Sequence, residues 1–174
     1  MQSVAILINH ELNLQGQMIT KEQFRAALGS FASGVTIVTT KDTNGHLHGL
    51  TVSAFCSVSM NPPLILICIL KVTGSHHAFE QSKMFVVNIL EESQQQLSNH
   101  FASHLDNKFT GQDYQLSENG LPVLADCLVN LECSLKNSYD GGDHTIFVGE
   151  IEKVILNEGN PLVYWKGGYR DLEV

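Results

Sequence analysis

Val35-Thr36-Ile37-Val38-Thr39-Thr40, then Asn44-Gly45, then Leu47 to Val52: this stretch decides the fold class of the chain. The first run is dense in β-branched residues, which lose side-chain freedom in a helix and pack well on a pleated surface. Asn-Gly tolerates positive φ at both positions, the requirement of a tight hairpin. Two antiparallel strands are therefore expected to meet at Asn44-Gly45. Upstream, Thr20 and Gln23 form a capping box, and Phe24, Ala27, Leu28 and Phe31 recur at helical spacing, so a short helix ending at Gly34 should precede the hairpin.

Downstream the strand signals continue through Phe55 to Ser59 and Leu64 to Leu70, the latter apolar on both faces and so expected to be central. A helical turn at Ser75 to Gln81, a strand from Met84 to Leu90 and a helix from Glu91 to Ala102 follow. Asn107 to Gly120, rich in Gly, Asn, Asp and Ser, reads as a long surface loop. From Cys127 to Lys136 apolar and polar residues alternate, which predicts a strand with one wet face. Gly141-Gly142-Asp143 then turns the chain into His144 to Leu156, and Leu162 to Trp165 forms a last short strand. At least seven antiparallel strands with two or three helices predict a barrel or sandwich, since closure removes exposed sheet edges.

Composition bounds the function. The chain of 174 residues carries 10 Lys and Arg against 18 Asp and Glu, a net charge of −8, which repels nucleic acid and anionic membrane surfaces. Its longest apolar run, Leu64 to Leu70, falls far short of the roughly 20 residues that span a bilayer. The apolar stretch Val4 to Ile8 has no basic residue before it and no clean small-residue cleavage site after it, so residues 1–17 are expected to form a disordered or loosely docked tail before one domain at 18–174. Cys56, Cys68, Cys127 and Cys133 show no CxxC spacing and read as reduced core residues of a cytoplasmic protein. His46/His48 and His76/His77 have no companion Cys or Glu at ligand spacing, so surface imidazoles are expected there and no metal. No GxGxxG or Walker loop occurs, and no acid/base or nucleophile constellation is legible.

Beyond this point the reading rests on a resemblance. Phe24 to Thr40, Gly49 to Cys68, Phe85 to Leu90, Gly120-Leu121-Pro122, Leu131-Glu132-Cys133, Gly142-Asp143-His144-Thr145, Val148-Gly149-Glu150 and Tyr164 to Tyr169 occur in an order and spacing that resemble the flavin reductase family. The resemblance implies an antiparallel, Greek-key-type FMN-binding split barrel with a few flanking helices. It also implies a homodimer with flavin near the interface. The implied activity is reduction of FMN, or FAD, by NADH or NADPH, with reduced flavin passed to a separate monooxygenase. No arginine cluster for a 2′-phosphate is evident, which leans toward NADH. A flavin-binding electron carrier or sensor reduced by a partner protein is the alternative, and a barrel that has lost flavin is a third.

The resemblance also assigns residues. Thr51, Val52, Ser53 and Ala54 match a segment whose amides and hydroxyls line the flavin, although Ala54 stands where the family has a serine; Cys68 belongs to the same set. Lys71, Thr73, Gly74 and Ser75 match a basic residue and a hydroxyl-rich loop suited to the flavin phosphate or pyrimidine edge, with Val72 and Gly74 departing from the hydroxyl pattern. His100 replaces a family arginine before Phe101, and Lys108 is the cation expected to compensate, unless Phe101 and Phe109 are core plugs. His144, Lys166, Gly167 and Tyr169 match the nicotinamide side, with Arg170 as a further cation and Tyr164 and Trp165 open to an interface role. No catalytic side chain is expected, because hydride passes directly between the two rings.

Overall fold

The computed structural model describes residues 18–172; the expected tail at residues 1–17 lies outside them. In chain order the elements are α1 (Lys21–Leu28), β1 (Ser33–Gly34), β2 (Thr36–Lys41), β3 (Leu47–Val52), β4 (Phe55–Met60), β5 (Pro63–Leu70), α2 (His76–Ser82), β6 (Met84–Ile89), α3 (Gln95–Ala102), β7 (Tyr114–Leu116), β8 (Pro122–Leu124), β9 (Val129–Gly141), β10 (His144–Leu156), β11 (Val163–Trp165) and β12 (Gly168–Arg170).

Seven of the strands form one antiparallel sheet in the order β3-β2-β6-β9-β10-β5-β4. Its edge strands β3 and β4 are not paired with each other, yet only Ser53 and Ala54 separate them in the chain. Laid flat, strands about 4.8 Å apart would put those edges about 29 Å from each other. The link from Val52 to Phe55 reaches about 11 Å at most. The mainly antiparallel sheet therefore curls round on itself, with its two edges left unpaired at a split between β3 and β4.

Inside the curl sit Val38, Val52, Ile67, Phe79, Phe85 and Phe147. A second core lies outside it, where Ile37, Leu90, Phe101, Phe109 and Leu162 pack beneath α3 and the loop that follows. β2 is thus buried on both faces. That corrects the expectation for Leu64 to Leu70: on β5, next to the edge, only Ile65, Ile67 and Ile69 are buried, while the alternate residues stay half-exposed.

Three other expectations shift. Thr20 and Gln23 exchange their capping hydrogen bonds, at 3.2 and 3.0 Å, but α1 ends at Gly29 rather than Gly34, and its apolar residues Phe24 and Leu28 are each 58% exposed. The Asn44-Gly45 hairpin forms, but with residues 42–46 outside the β2–β3 ladder, because the Asp42 carboxylate accepts the amides of Asn44 and His46 at 2.8 and 2.9 Å. The expected wet face of β9 is covered over its first half only: Asn130 and Glu132 are buried beside β7 and β8, which lie within and after the expected loop, while Ser134 is half-buried and Lys136 exposed. The Glu132 carboxylate accepts from Ser117 and Asn119 at 3.0 and 2.8 Å. The Asn88 side chain donates to the Ile37 carbonyl at 2.9 Å and accepts from the Leu124 amide at 3.0 Å and the Asn130 side chain at 2.8 Å. These partners are what make burial of polar groups tolerable.

Candidate functional site

At the split, three linked depressions run along the surface. The first, about 400 Å³, lies between Leu50, Thr51 and Leu70 on one side and Thr73, Gly74 and Ser75 on the other, and is capped by residues 101–106 and Lys108. Through Thr51 and Ala102 it continues into a second of about 380 Å³, bounded by Ser53, Ser98, Asn99 and Tyr169. Ser53, Tyr164 and Gly167 are shared with a third, about 700 Å³, whose walls are mostly apolar and include Phe24, Leu28, Phe31, Ala54 and Trp165.

Thr51, Ser53, Ala54, Thr73, Gly74, Ser75, Phe101, Lys108, Lys166, Gly167 and Tyr169 thus line one groove, although the chain supplies them from well-separated stretches. Alternation along β3 accounts for the first of them: Val52 faces the interior and Thr51 the outside. Beyond the strand, Ser53 and Ala54 lie outside both ladders, and their carbonyls accept from Phe55 and Cys68, each at 3.0 Å. Thr51 Oγ1 donates to the Ser98 carbonyl at 2.6 Å, and the Tyr169 hydroxyl stands 2.9 Å from both Ser98 Oγ and Asn99 Oδ1. These bonds join β3, α3 and β12 around the middle depression. Ser75, at the N-cap of α2, makes no capping hydrogen bond, whereas the Thr73 hydroxyl donates to the Leu70 carbonyl at 2.9 Å.

Four expected residues stand apart. Val52 is packed in the core, so only its backbone reaches outward. Cys68 lies on the β5 face shared by Leu66 and Leu70, which line two of the depressions, but lines none itself, and burial pushes its thiol pKa up. Lys71 is absent from the groove because its ammonium is held by Asp140 and by the Gly142 carbonyl, across the β9–β10 turn. His144 opens β10 beside Leu70, its Nδ1 2.6 Å from Asp143 Oδ1, and it too lines no part of the groove.

Lys108 and Phe101 answer the question the sequence left open. Phe101 and Phe109 are core plugs, packed edge to face with ring centroids 5.2 Å apart. Lys108 Nζ donates to the Phe101 carbonyl at 2.7 Å and the Gly49 carbonyl at 3.2 Å, and burial holds its pKa below the usual lysine value. His100 Nε2 meets the Lys108 carbonyl at 2.8 Å, so it fastens the loop instead of facing the groove. Sequence reasoning missed Ser98, Asn99 and the segment 103–106, because α3 shows its function only once it is laid against β3 and β12. At the far end Lys166 Nζ lies 4.5 Å from the Trp165 ring centre and the Arg170 guanidinium carbon 6.0 Å from it, a cationic rim on an acidic protein.

The donor set fits a flavin: hydroxyls and loop amides for the polar edge and phosphate, apolar surface for the ring face, and aromatic groups at the open end. Among the described residues no helix is long and apolar enough to cross a membrane.

Comparison with known proteins agrees with this fold. Residues 28–173 match the family described as the flavin reductase like domain. The reductase subunit of a flavin-dependent monooxygenase from Rhodococcus jostii is 38% identical over 158 residues, covering 90% of this chain and 80% of its own length. A Rhizobium meliloti protein is 34% identical over 156 residues; the match takes in 90% of this chain, which spans only half of that relative. The solved structure of a Streptomyces globisporus NADH:FAD oxidoreductase, in complex with NAD and FAD fragments, superposes with a TM-score of 0.83 at 33% identity, over 90% of this chain and 97% of its own. The chain belongs to the flavin reductase like domain family.

Proposed function

We propose that the chain is a nicotinamide-dependent flavin reductase, with residues 18–174 as one flavin-binding unit. The observation that carries this reading is the groove at the barrel split, where Thr51, Ser53, Thr73, Ser75 and Tyr169 converge in a chain of this family. Bound flavin supplies the ring that accepts hydride from the nicotinamide. The protein's residues bind and orient. Thr51, fixed by its bond to Ser98, and Ser53 present hydroxyls to the polar edge of the ring. Thr73, Gly74 and Ser75 offer a short loop to the phosphate. Tyr169, held by Ser98 and Asn99, walls the middle depression, where ring stacking requires that water be excluded. Lys166, Gly167 and Trp165 at the open end receive the nucleotide, whose phosphates favour the cationic rim. No proton-transferring side chain is required, because hydride passes directly between the two rings, and the Lys108 ammonium is engaged by two backbone carbonyls.

FMN is the flavin we favour from the resemblance, with FAD, which the name of the Streptomyces globisporus neighbour carries, as the larger alternative, and NADH, which the same name carries, as donor. Delivery of reduced flavin to a separate monooxygenase is supported by the name of the Rhodococcus jostii relative, the reductase subunit of a flavin-dependent monooxygenase. A homodimer is supported by the apolar third depression, whose residues Phe24, Leu28 and Phe31 find no cover within the described chain. Four unpaired cysteines fit a reducing, cytoplasmic location. Following nicotinamide absorbance with FMN or FAD, and with NADH or NADPH in turn, tests the reading. Flavin-dependent oxidation faster with NADH is expected. Tight flavin binding without nucleotide oxidation would overturn it in favour of an electron carrier.

A further inference from the structure

Against the sequence expectation, two of the histidines converge with an aspartate. Asp42, His48 and His77 bring one ligand atom each to within 4.8 Å of one another, from the β2–β3 turn, from β3 and from the first turn of α2. Asp42 Oδ2 lies 3.5 Å from His48 Nε2 and 3.0 Å from His46 Nδ1. The His48 and His77 rings stand edge to face with centroids 5.3 Å apart.

We infer that Asp42, His48 and His77 form a binding site for a divalent transition metal of the zinc class. Imidazole nitrogen and carboxylate oxygen bind such an ion at about 2.0–2.2 Å, which sets neighbouring donors about 3.4 Å apart in a tetrahedral site. The Asp42–His48 pair already stands at that spacing. His77 has an exposed side chain and must close by at most about 1.4 Å, the difference between the 4.8 Å limit and that spacing. Asp42 is aimed in advance: its Oδ1 accepts the amides of Asn44 and His46, which leaves Oδ2 turned toward the imidazoles. Such outer hydrogen bonds orient a metal-binding carboxylate. Two imidazoles with one carboxylate select zinc, nickel or copper over magnesium and calcium, which prefer all-oxygen shells.

The paired histidines have no Cys or Glu at ligand spacing; the third ligand type is an aspartate, and His77 arrives through the tertiary fold. His76, its neighbour, is occupied elsewhere, with Nε2 2.8 Å from Thr145 Oγ1. A metal here would tie the hairpin turn to α2, whose preceding loop, Thr73 to Ser75, walls the groove. The site is independent of the flavin reading.

Tag-free protein stripped with a chelator is titrated with Co²⁺, read by visible absorbance and calorimetry. One Co²⁺ per chain is expected, displaced by Zn²⁺, with affinity reduced at least about tenfold in Asp42→Asn, His48→Ala and His77→Ala but unchanged in His144→Ala, whose imidazole also pairs with a carboxylate. Zn²⁺ should raise the melting temperature of the wild type and not of Asp42→Asn, a substitution that keeps the turn's acceptor oxygen. Absence of stoichiometric binding, or equal affinity in all variants, overturns the proposal in favour of a carboxylate–imidazole hydrogen-bond cluster. Should a variant not fold, X-ray absorption on the zinc-loaded wild type decides: two or more imidazole nitrogens support the site, and fewer overturn it.

Discussion

Tyr169 and Asn88 show how a single polar side chain acts in two settings. Tyr169 meets Ser98 and Asn99 through its hydroxyl at the rim of the groove, so its removal frees α3 from β12 without opening the core. Tyr169→Phe should therefore weaken flavin binding several-fold, read as a rise in KM for flavin larger than any fall in kcat, while the melting temperature moves little. Asn88 is fully buried and satisfies the Leu124 amide, the Asn130 side chain and the Ile37 carbonyl. Asn88→Ala strands those partners in a dry interior and should cost at least about 1–3 kcal/mol, measured as a lower denaturant midpoint. Neither role was visible in the sequence: Tyr169 entered only as part of a motif, and Asn88 looked like one polar letter in an apolar strand. What a polar residue does depends on which acceptors the fold places opposite it.

At the scale of elements, β3 and α3 fit together through a missing side chain. A Cβ on Gly49 would lie 2.6 Å from Phe101 Cε1 and 3.2 Å from Phe109 Cζ, so the strand accepts the aromatic plugs only as glycine. Gly49→Ala must push Phe101 away and should destabilise the protein by about 1–3 kcal/mol in urea unfolding. Because Ala102 and Lys108 border the groove and follow Phe101 closely, flavin affinity should fall in the same variant. The strands themselves were legible from β-branched runs and turn residues, as was the capping box of α1. The two faces of β9 were not. Alternation of apolar and polar residues reports which way side chains point, and it takes tertiary packing to bury Asn130 and Glu132 on that polar face and supply Glu132 with donors.

Across the whole molecule two properties follow. Burial pushes the Cys127 and Cys133 thiols up to about 12, above the usual value near 9. The folded protein therefore keeps two protons that the unfolded chain releases earlier. Their contribution to stability is fully present below about pH 9 and is lost as pH rises toward about 12. Unfolding free energy should decline over that window by up to about 1.4 kcal/mol per pH unit per thiol, and the Cys127→Ala/Cys133→Ala double variant should show a flatter profile from a lower baseline. The second property is assembly. Phe31 is 78% exposed on the apolar side of the groove, and Phe31→Asp should convert the proposed dimer to monomer in size-exclusion chromatography with light scattering; an unchanged mass would remove that face from the interface.

The sequence by itself determined that this is a mainly antiparallel β protein, acidic, without a nucleotide loop of the Rossmann or Walker type, and its ordered motifs carried the family and most of the groove. Local propensity and turn chemistry act over a few residues, and a run such as Val35 to Thr40 states them directly. Only the tertiary structure decided that Lys71 is spent on the β9–β10 turn, that Phe101 is a plug as well as a wall, and that Ser98 and Asn99 belong to the site. It alone brought Asp42, His48 and His77 together. These outcomes depend on which surfaces meet when a seven-stranded sheet curls until its edges, joined by Ser53 and Ala54, come within reach of each other. Proximity across that curl is a property of the closed shape, and no spacing along the chain encodes it.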